Sequence, residues 1–427
     1  MINKIEFSAN NLTSYAGLYP ILNYTEKSGV FQLISDNLFF ENASTEAIKM
    51  KHIKTMMALG VIGADKLSRV DLLKNDPMIL EGFDINVTNA ENVSRFLYKF
   101  SFKTTQMLRD INFAVFKKLL KRSSLKKITI DIDSTVENVE GNQEGAMKGY
   151  NPKKHGNKCY NGLMSFCAEL KAFVTGFQRS GNTYTSNGTA EMIKEIIAVL
   201  KDEVENIVFR MDSGYFSEEI IKVIEAAGYQ YLIKAKHYGT FPALAYSKDD
   251  KIAWDKYNDE KQISSVTIKP AAWSQERNFI ITRKKKDEKK DTTKGIQEKM
   301  FEYDEYDHDF YVTNMNLTTV EALEFYRKRG TCENYIKESK YDMNIGTMLL
   351  SSFWANEAIF QIQMLVYNIF LLFKQEYLPE NEYWQQIKTF RLKFIFVAAK
   401  IVKTGRQTIM KISKDYRYKE VFQLKIA

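Results

Sequence analysis

The stretch "ITIDIDSTV" (128–136) decides how this chain is read. Ile128, Ile130 and Ile132 alternate with Thr129, Asp131 and Asp133, and Thr135 falls on the polar side. A period of two marks a strand, with successive side chains on opposite faces. Acids are depleted in strands, so two on one face call for a reason other than solvent. Upstream, "TEAIKMKHIKTMMALGVI" and "NVSRFLYKFSFKTTQMLRDINFAVFKKLLK" carry helical periodicity, and residues 1 to about 120 read as helices. Within them "NAENVSRFLYKF" is a candidate recognition helix of a DNA-binding region. Downstream come a Gly- and Asn-rich turn region, two strand-like runs ("LMSFCAEL", "KAFVTGFQ"), then helix, strand, helix, strand. The predicted order is β-β-β-α-β-α-β, followed by a polar, β-rich stretch from 237 to about 310.

Composition bounds the rest. The chain has 427 residues, of which 44% are hydrophobic, enough for a large core and for two to four domains or one domain with insertions. No basic, apolar, small-residue leader pattern opens it. The apolar run "AIFQIQMLVYNIFLLF" (358–373) is short for a bilayer and carries Gln361, Gln363 and Asn368. It reads as a buried core helix, and the chain as soluble and cytoplasmic, with no membrane partner. Cys159, Cys167 and Cys332 lack CxxC spacing, and the four histidines form no HxxxH or HxH pair. Any metal would therefore rest on carboxylates, which favours hard cations such as Mg²⁺. The net charge is +8, yet residues 383–427 hold eleven Lys or Arg against Asp415 and Glu420. A second basic run, "RKKKDEKK", spans 283–290. Such runs are solvated surface or polyanion-binding surface.

Asp133 lies toward the end of the first strand, and "FRMDSGYFS" puts Asp212 where the next buried strand gives way to a helix. Groups at the carboxyl ends of strands face the clefts of sheet folds. Asp212 also suits a helix N-cap. Alternation cannot choose between Asp131 and Asp133. Proximity to the strand end favours Asp133, with Asp131 buried or orienting it. A third acid comes from "YRKRGTCENYIKESK" (326–340). On one continuous helix starting near Thr318, Tyr326, Arg329, Glu333 and Lys340 fall within an arc of about 60°. An Arg329–Glu333 pair also stabilises an exposed helix by roughly 0.2–0.5 kcal/mol, so the spacing alone admits a solvated face.

Taken together, these residues resemble the bacterial insertion-sequence DDE transposases of the group with the signature Y-x2-R-x3-E-x6-K. Tyr326, Arg329, Glu333 and Lys340 match it in full, "DST" (133–135) matches the D-x-T element, and "MDSGYF" matches the second aspartate. The resemblance implies an RNase H-like mixed sheet core in an α/β fold, with a β-rich insertion and an all-helical N-terminal region. It implies a helical DNA-end-binding region (1–120), a catalytic core in two parts (121–236 and 311–378), an insertion (237–310) and a basic C-terminal region (379–427). Asp133, Asp212 and Glu333 would be catalytic metal ligands for two Mg²⁺ ions, with Mn²⁺ able to substitute, while Tyr326, Arg329 and Lys340 would contact DNA phosphates. The partners would be double-stranded DNA, as terminal inverted repeats and target DNA, and a second copy in a homodimer on paired ends. An insertion tryptophan, Trp273, is a candidate for stacking on a flipped base or for core packing. Two other readings remain open: another RNase H-like DNA nuclease, and a domesticated DNA-binding protein without catalysis.

Overall fold

The computed structural model describes residues 2–41, 46–82, 87–151, 154–248, 252–286 and 305–423. The helical periodicity of the first part builds α1 (Leu18–Lys27), α2 (Val30–Asn37), α3 (Glu46–Ile62), α4 (Ala90–Leu97) and α5 (Phe102–Ser123). The candidate recognition helix is α4, and it buries Val93, Phe96 and Leu97. Its apolar face is therefore committed to the core.

The alternating run forms the central strand β1 (Lys127–Asn138). It pairs antiparallel with β2 (Lys158–Cys167), which pairs with β3 (Ala172–Phe177). Helix α6 (Thr189–Leu200) leads to β4 (Asn206–Met211), and α7 (Glu218–Ala226) leads to β5 (Gln230–Lys234). Strands β1, β4 and β5 are parallel, so the order across the sheet is β3-β2-β1-β4-β5. This is an RNase H-like mixed sheet.

The stretch after β5 is rich in strands. It starts with a helix, α8 (Thr240–Lys248), and continues as β6 (Lys261–Ile268), β7 (Arg277–Lys285) and β8 (Tyr306–Thr313). Strand β8 pairs antiparallel with β5, so these strands prolong the core sheet. Trp273 is buried against Phe216 at 4.8 Å between ring centroids and against Phe279 at 6.1 Å. Core packing is its role here. The basic run at 283–290 lies partly outside the described residues; Arg283 is itself buried, over the rings of Trp254 and Tyr306.

Two helices stand where one continuous helix was expected: α9 (Thr319–Arg327) and α10 (Gly330–Tyr341). α9 begins with a capping box between Thr318 and Glu321. The helix then tightens into i→i−3 bonds, from Arg329 N to Tyr326 O (2.8 Å) and Cys332 N to Arg329 O (2.8 Å). Gly330 weakens the helix there, and the Thr331 hydroxyl bonds back to Lys328 O at 2.7 Å. This tightened turn at Lys328 and Arg329, whose backbone stays right-handed helical, separates α9 from α10.

Helix α11 (Phe353–Tyr377) is buried nearly throughout, and packs on α5 and β3. One contiguous apolar core runs from Leu18 in α1, through the sheet, to Ile395 and Ile401 near the C-terminus. The basic C-terminal region is folded into that core. Phe390, Phe394 and Ile395 are buried, and Arg391 donates to Val61 O (2.7 Å) and Gly60 O (2.8 Å). Strands β9 (Ala399–Thr404) and β10 (Gln407–Ile412) then form a hairpin that pairs with Leu12–Thr13.

Candidate active site

Parallel pairing between β1 and β4 stops at Ile132–Met211. Asp133 and Asp212 are the next residue on each strand, so the sheet register itself sets the two carboxylates side by side. Asp133 accepts from Ser134 N at 2.8 Å. Asp212 caps a short 3₁₀ turn, Ser213–Tyr215, and accepts from Gly214 N at 2.8 Å. The tightened turn aims Arg329 between them. Its Nη2 lies 2.9 Å from Asp133 Oδ2 and 3.5 Å from Asp212 Oδ2. Burial pushes the Asp133 carboxyl up to about 6, against the pull of Arg329 and with the added repulsion of Asp212. Burial disfavours the Arg329 charge, but Asp133 and Asp212 outweigh it and hold the guanidinium protonated. Arg329 Nε is buried without a hydrogen-bond partner.

Asp131 faces a different partner. It is fully buried and takes Arg210 in a two-pronged pair, Nε to Oδ1 at 2.6 Å and Nη2 to Oδ2 at 2.8 Å. Arg210 Nη1 also donates to Phe325 O at 2.5 Å. Asp131 thus ties the strands to the end of α9, just before the turn that presents Arg329.

The remaining signature residues have different surroundings. The Tyr326 ring is half-buried against Tyr311, 4.7 Å between centroids, and burial raises its hydroxyl pKa. Lys340 Nζ donates to Val136 O on β1. Glu333 is exposed and makes no hydrogen bond or ion pair among the described residues. It follows Arg329 by one helical turn. Among the described residues, no three His, Cys, Asp or Glu side chains converge as a metal site. The oxygen-only pair Asp133 and Asp212 fits a hard divalent cation; Glu333 stands apart from that pair.

Around the aspartates opens a cleft of about 800 Å³. Lys337 and Lys340 line one side, and Tyr150 and Tyr184 line it with the loops beyond β1 and β3. Sequence reading missed Lys337 and both tyrosines. Lys337 was legible as the residue four after Glu333 on α10. Tyr150 sat in the Gly- and Asn-rich turn region, which signalled a loop but not its destination. Tyr184 had no signal, because only the folded sheet brings its loop to the cleft.

A family model described as transposase DDE domain group 1 matches residues 3–427. No curated protein sequence matches the chain. Among solved structures, it is similar to a piggyBac transposase synaptic complex with hairpin DNA, at 13% identity, covering 88% of this chain and 79% of that one, with a TM-score of 0.46. It is also similar to a Mos1 transposase paired-end complex with left transposon end, at 11% identity, covering 43% and 61%, with a TM-score of 0.19. With the family match running the length of the chain, the protein belongs to transposase DDE domain group 1 and is a DNA transposase.

Proposed function

We propose that the chain cuts the ends of an insertion sequence and joins the freed 3′-hydroxyl to target DNA, using Asp133, Asp212 and Glu333 with two Mg²⁺ ions. The observation behind this reading is the placement of Asp133 and Asp212 as in-register neighbours at the end of the β1–β4 pairing. When bound, divalent ions supply activation of the attacking oxygen and stabilisation of the leaving oxygen of a phosphodiester. The chain's own residues hold and orient. Asp133 and Asp212 would hold the ions, and Glu333, which stands apart from them in this structure, would be the third ligand. Arg329 offers a buried, unpartnered Nε to a DNA phosphate. Lys340, Lys337 and Tyr326 flank the path of the backbone, and the basic C-terminal region neutralises more distant phosphates. The substrates are terminal inverted repeats and target DNA, engaged by a homodimer on paired ends. The site of action is the bacterial cytoplasm, on the nucleoid. Among the described residues, one helix, Phe353–Tyr377, is long and apolar enough to cross a membrane, and its apolar window is wholly buried inside the molecule.

A non-catalytic DNA-binding protein is the second reading, and one observation favours it: Glu333 stands away from the aspartate pair. Cleavage of a labelled inverted-repeat end separates the two. Asp212→Asn and Glu333→Gln should each abolish cleavage in Mg²⁺ while end binding by gel shift stays within a few-fold of wild type. If Glu333→Gln cleaves at the wild-type rate, the three-carboxylate site is wrong. A wild-type chain that binds ends but never cuts them supports the second reading.

A further inference from the structure

Tyr150 and Tyr184 stand on the rim of the cleft that holds Asp133 and Asp212, with 81% and 80% of their surface exposed. Neither ring packs on another aromatic ring among the described residues. A single exposed tyrosine is ordinary. Two at one cleft, each on an anchored backbone, are not.

The anchoring is specific. The loop before β2 and the loop after β3 touch backbone to backbone, and a Cβ at Gly149 would lie 1.7 Å from Gly181 O. Only glycine allows that approach, and it brings Tyr150 and Tyr184 to the same wall. Ser180 Oγ adds a hydrogen bond to Gly145 O at 2.8 Å. Beside Tyr150, Asn151 is buried and donates to Asn138 Oδ1 at 2.6 Å. Around Tyr184, buried Arg179 donates to Tyr184 O (3.4 Å), Thr185 O (3.0 Å) and Asn187 O (2.7 Å). The same guanidinium clasps Asn161 through its O (3.2 Å) and its Oδ1 (2.9 Å). The backbone under each ring is held while the ring itself is left in water.

We propose that Tyr150 and Tyr184 form a stacking platform for unpaired nucleobases of the DNA strand lying in the cleft. The proposal rests on the transposase reading of the site. Tyrosine offers a rigid π-face that accepts any base, so such a platform tolerates sequence and requires a base free of its pair. Lys337 and Lys340 on the same cleft complement the strand's phosphates. The platform therefore holds a strand whose terminal pairs have opened beside the scissile phosphate.

The test compares two probes: a fully paired duplex end and the same end forked by terminal mismatches. Wild type should bind the forked end more tightly. Tyr150→Ala/Tyr184→Ala should lose about tenfold or more on the forked end while its binding to the paired end and its thermal midpoint hold. Tyr150→Phe/Tyr184→Phe keeps the π-faces and should retain forked-end binding. The proposal is overturned if the alanine pair binds the fork like wild type, if it weakens both probes equally, or if the phenylalanine pair loses as much as alanine. Asp133→Asn, assayed in parallel, keeps the readings separate. Cleavage lost with fork preference intact upholds the catalytic site whatever the tyrosines do. Cleavage retained in Asp133→Asn would fault the catalytic assignment without touching the platform.

Discussion

Two residues apart on one strand, Asp131 and Asp133 have unlike surroundings. Asp131 spends its charge on Arg210, whereas Asp133 shares Arg329 with Asp212 and opens on the cleft. Four residues beyond Asp133, β1 carries another buried acid that sequence reading passed over. Glu137 accepts from Gln178 Nε2 with both oxygens at 2.8 Å, and burial pushes its pKa up to about 7 despite that bond and nearby Lys340. A folded pKa above the unfolded value near 4.5 has a defined sign. The folded state binds the proton more tightly, so the contribution is full below pH 4.5 and is lost as pH rises through about 7. Glu137→Gln, which resembles the protonated form, should gain stability relative to wild type as pH rises from 5 to 8, by up to about 3 kcal/mol. Denaturant melts across that range check it; a difference that stays constant with pH would mean Glu137 titrates as an ordinary carboxylate.

At the scale of elements, the tightened turn between α9 and α10 carries Arg329, which joins the aspartate pair of the candidate site. Around it Tyr326 packs on Tyr311 with its hydroxyl within electrostatic reach of Asp133 and Asp212, Arg329 pairs with those aspartates, and Glu333 is exposed. Arg210 holds the end of α9 from below through Phe325 O. The turn owes part of its shape to Gly330, which is exposed and has open space where a Cβ would stand. Gly330→Ala should therefore stabilise the chain by about 0.5–1 kcal/mol, the usual gain on filling a helical glycine. Thermal melts would register it. A destabilised variant would show that the turn needs a backbone only glycine supplies.

For the whole molecule, the charge imbalance takes on a shape. Four of the eleven C-terminal cations, Lys400, Lys403, Arg406 and Lys411, are carried by a folded hairpin in which Lys400 lies directly opposite Lys411 across β9 and β10. Like charges in that position repel, and neither lysine has an ion-pair partner among the described residues. Removing 383–427 would also remove Phe390 and Ile395 from the core, so neutralisation is the cleaner probe. Lys400→Gln/Arg406→Gln/Lys411→Gln should leave the fold intact and make the salt dependence of duplex binding shallower, by up to about 0.9 in log–log slope for each phosphate no longer neutralised. Filter binding over a salt series measures it, and an unchanged slope would make the hairpin mere solvated surface.

Local pattern in the chain determined a good deal by itself. The change of period at residue 128 located β1, and the strand and helix runs after it predicted the order of the core elements, because side-chain alternation is written residue by residue. Asp133 and Asp212 were legible for the same reason: each stands where an apolar strand pattern runs out. The folded molecule decided the rest, through contacts between distant segments that leave no local period. That β8 pairs with β5, so that the strands of the expected β-rich insertion continue the core sheet, was not legible, since backbone hydrogen bonds carry no side-chain signature. A tightened turn at Lys328 and Arg329 divided into two helices a run that looked continuous, because the twist of one turn is settled by competing hydrogen bonds and packing. The approach of Gly149 to Gly181, which puts Tyr150 and Tyr184 at one rim, exists only once the sheet has brought both loops to the same edge.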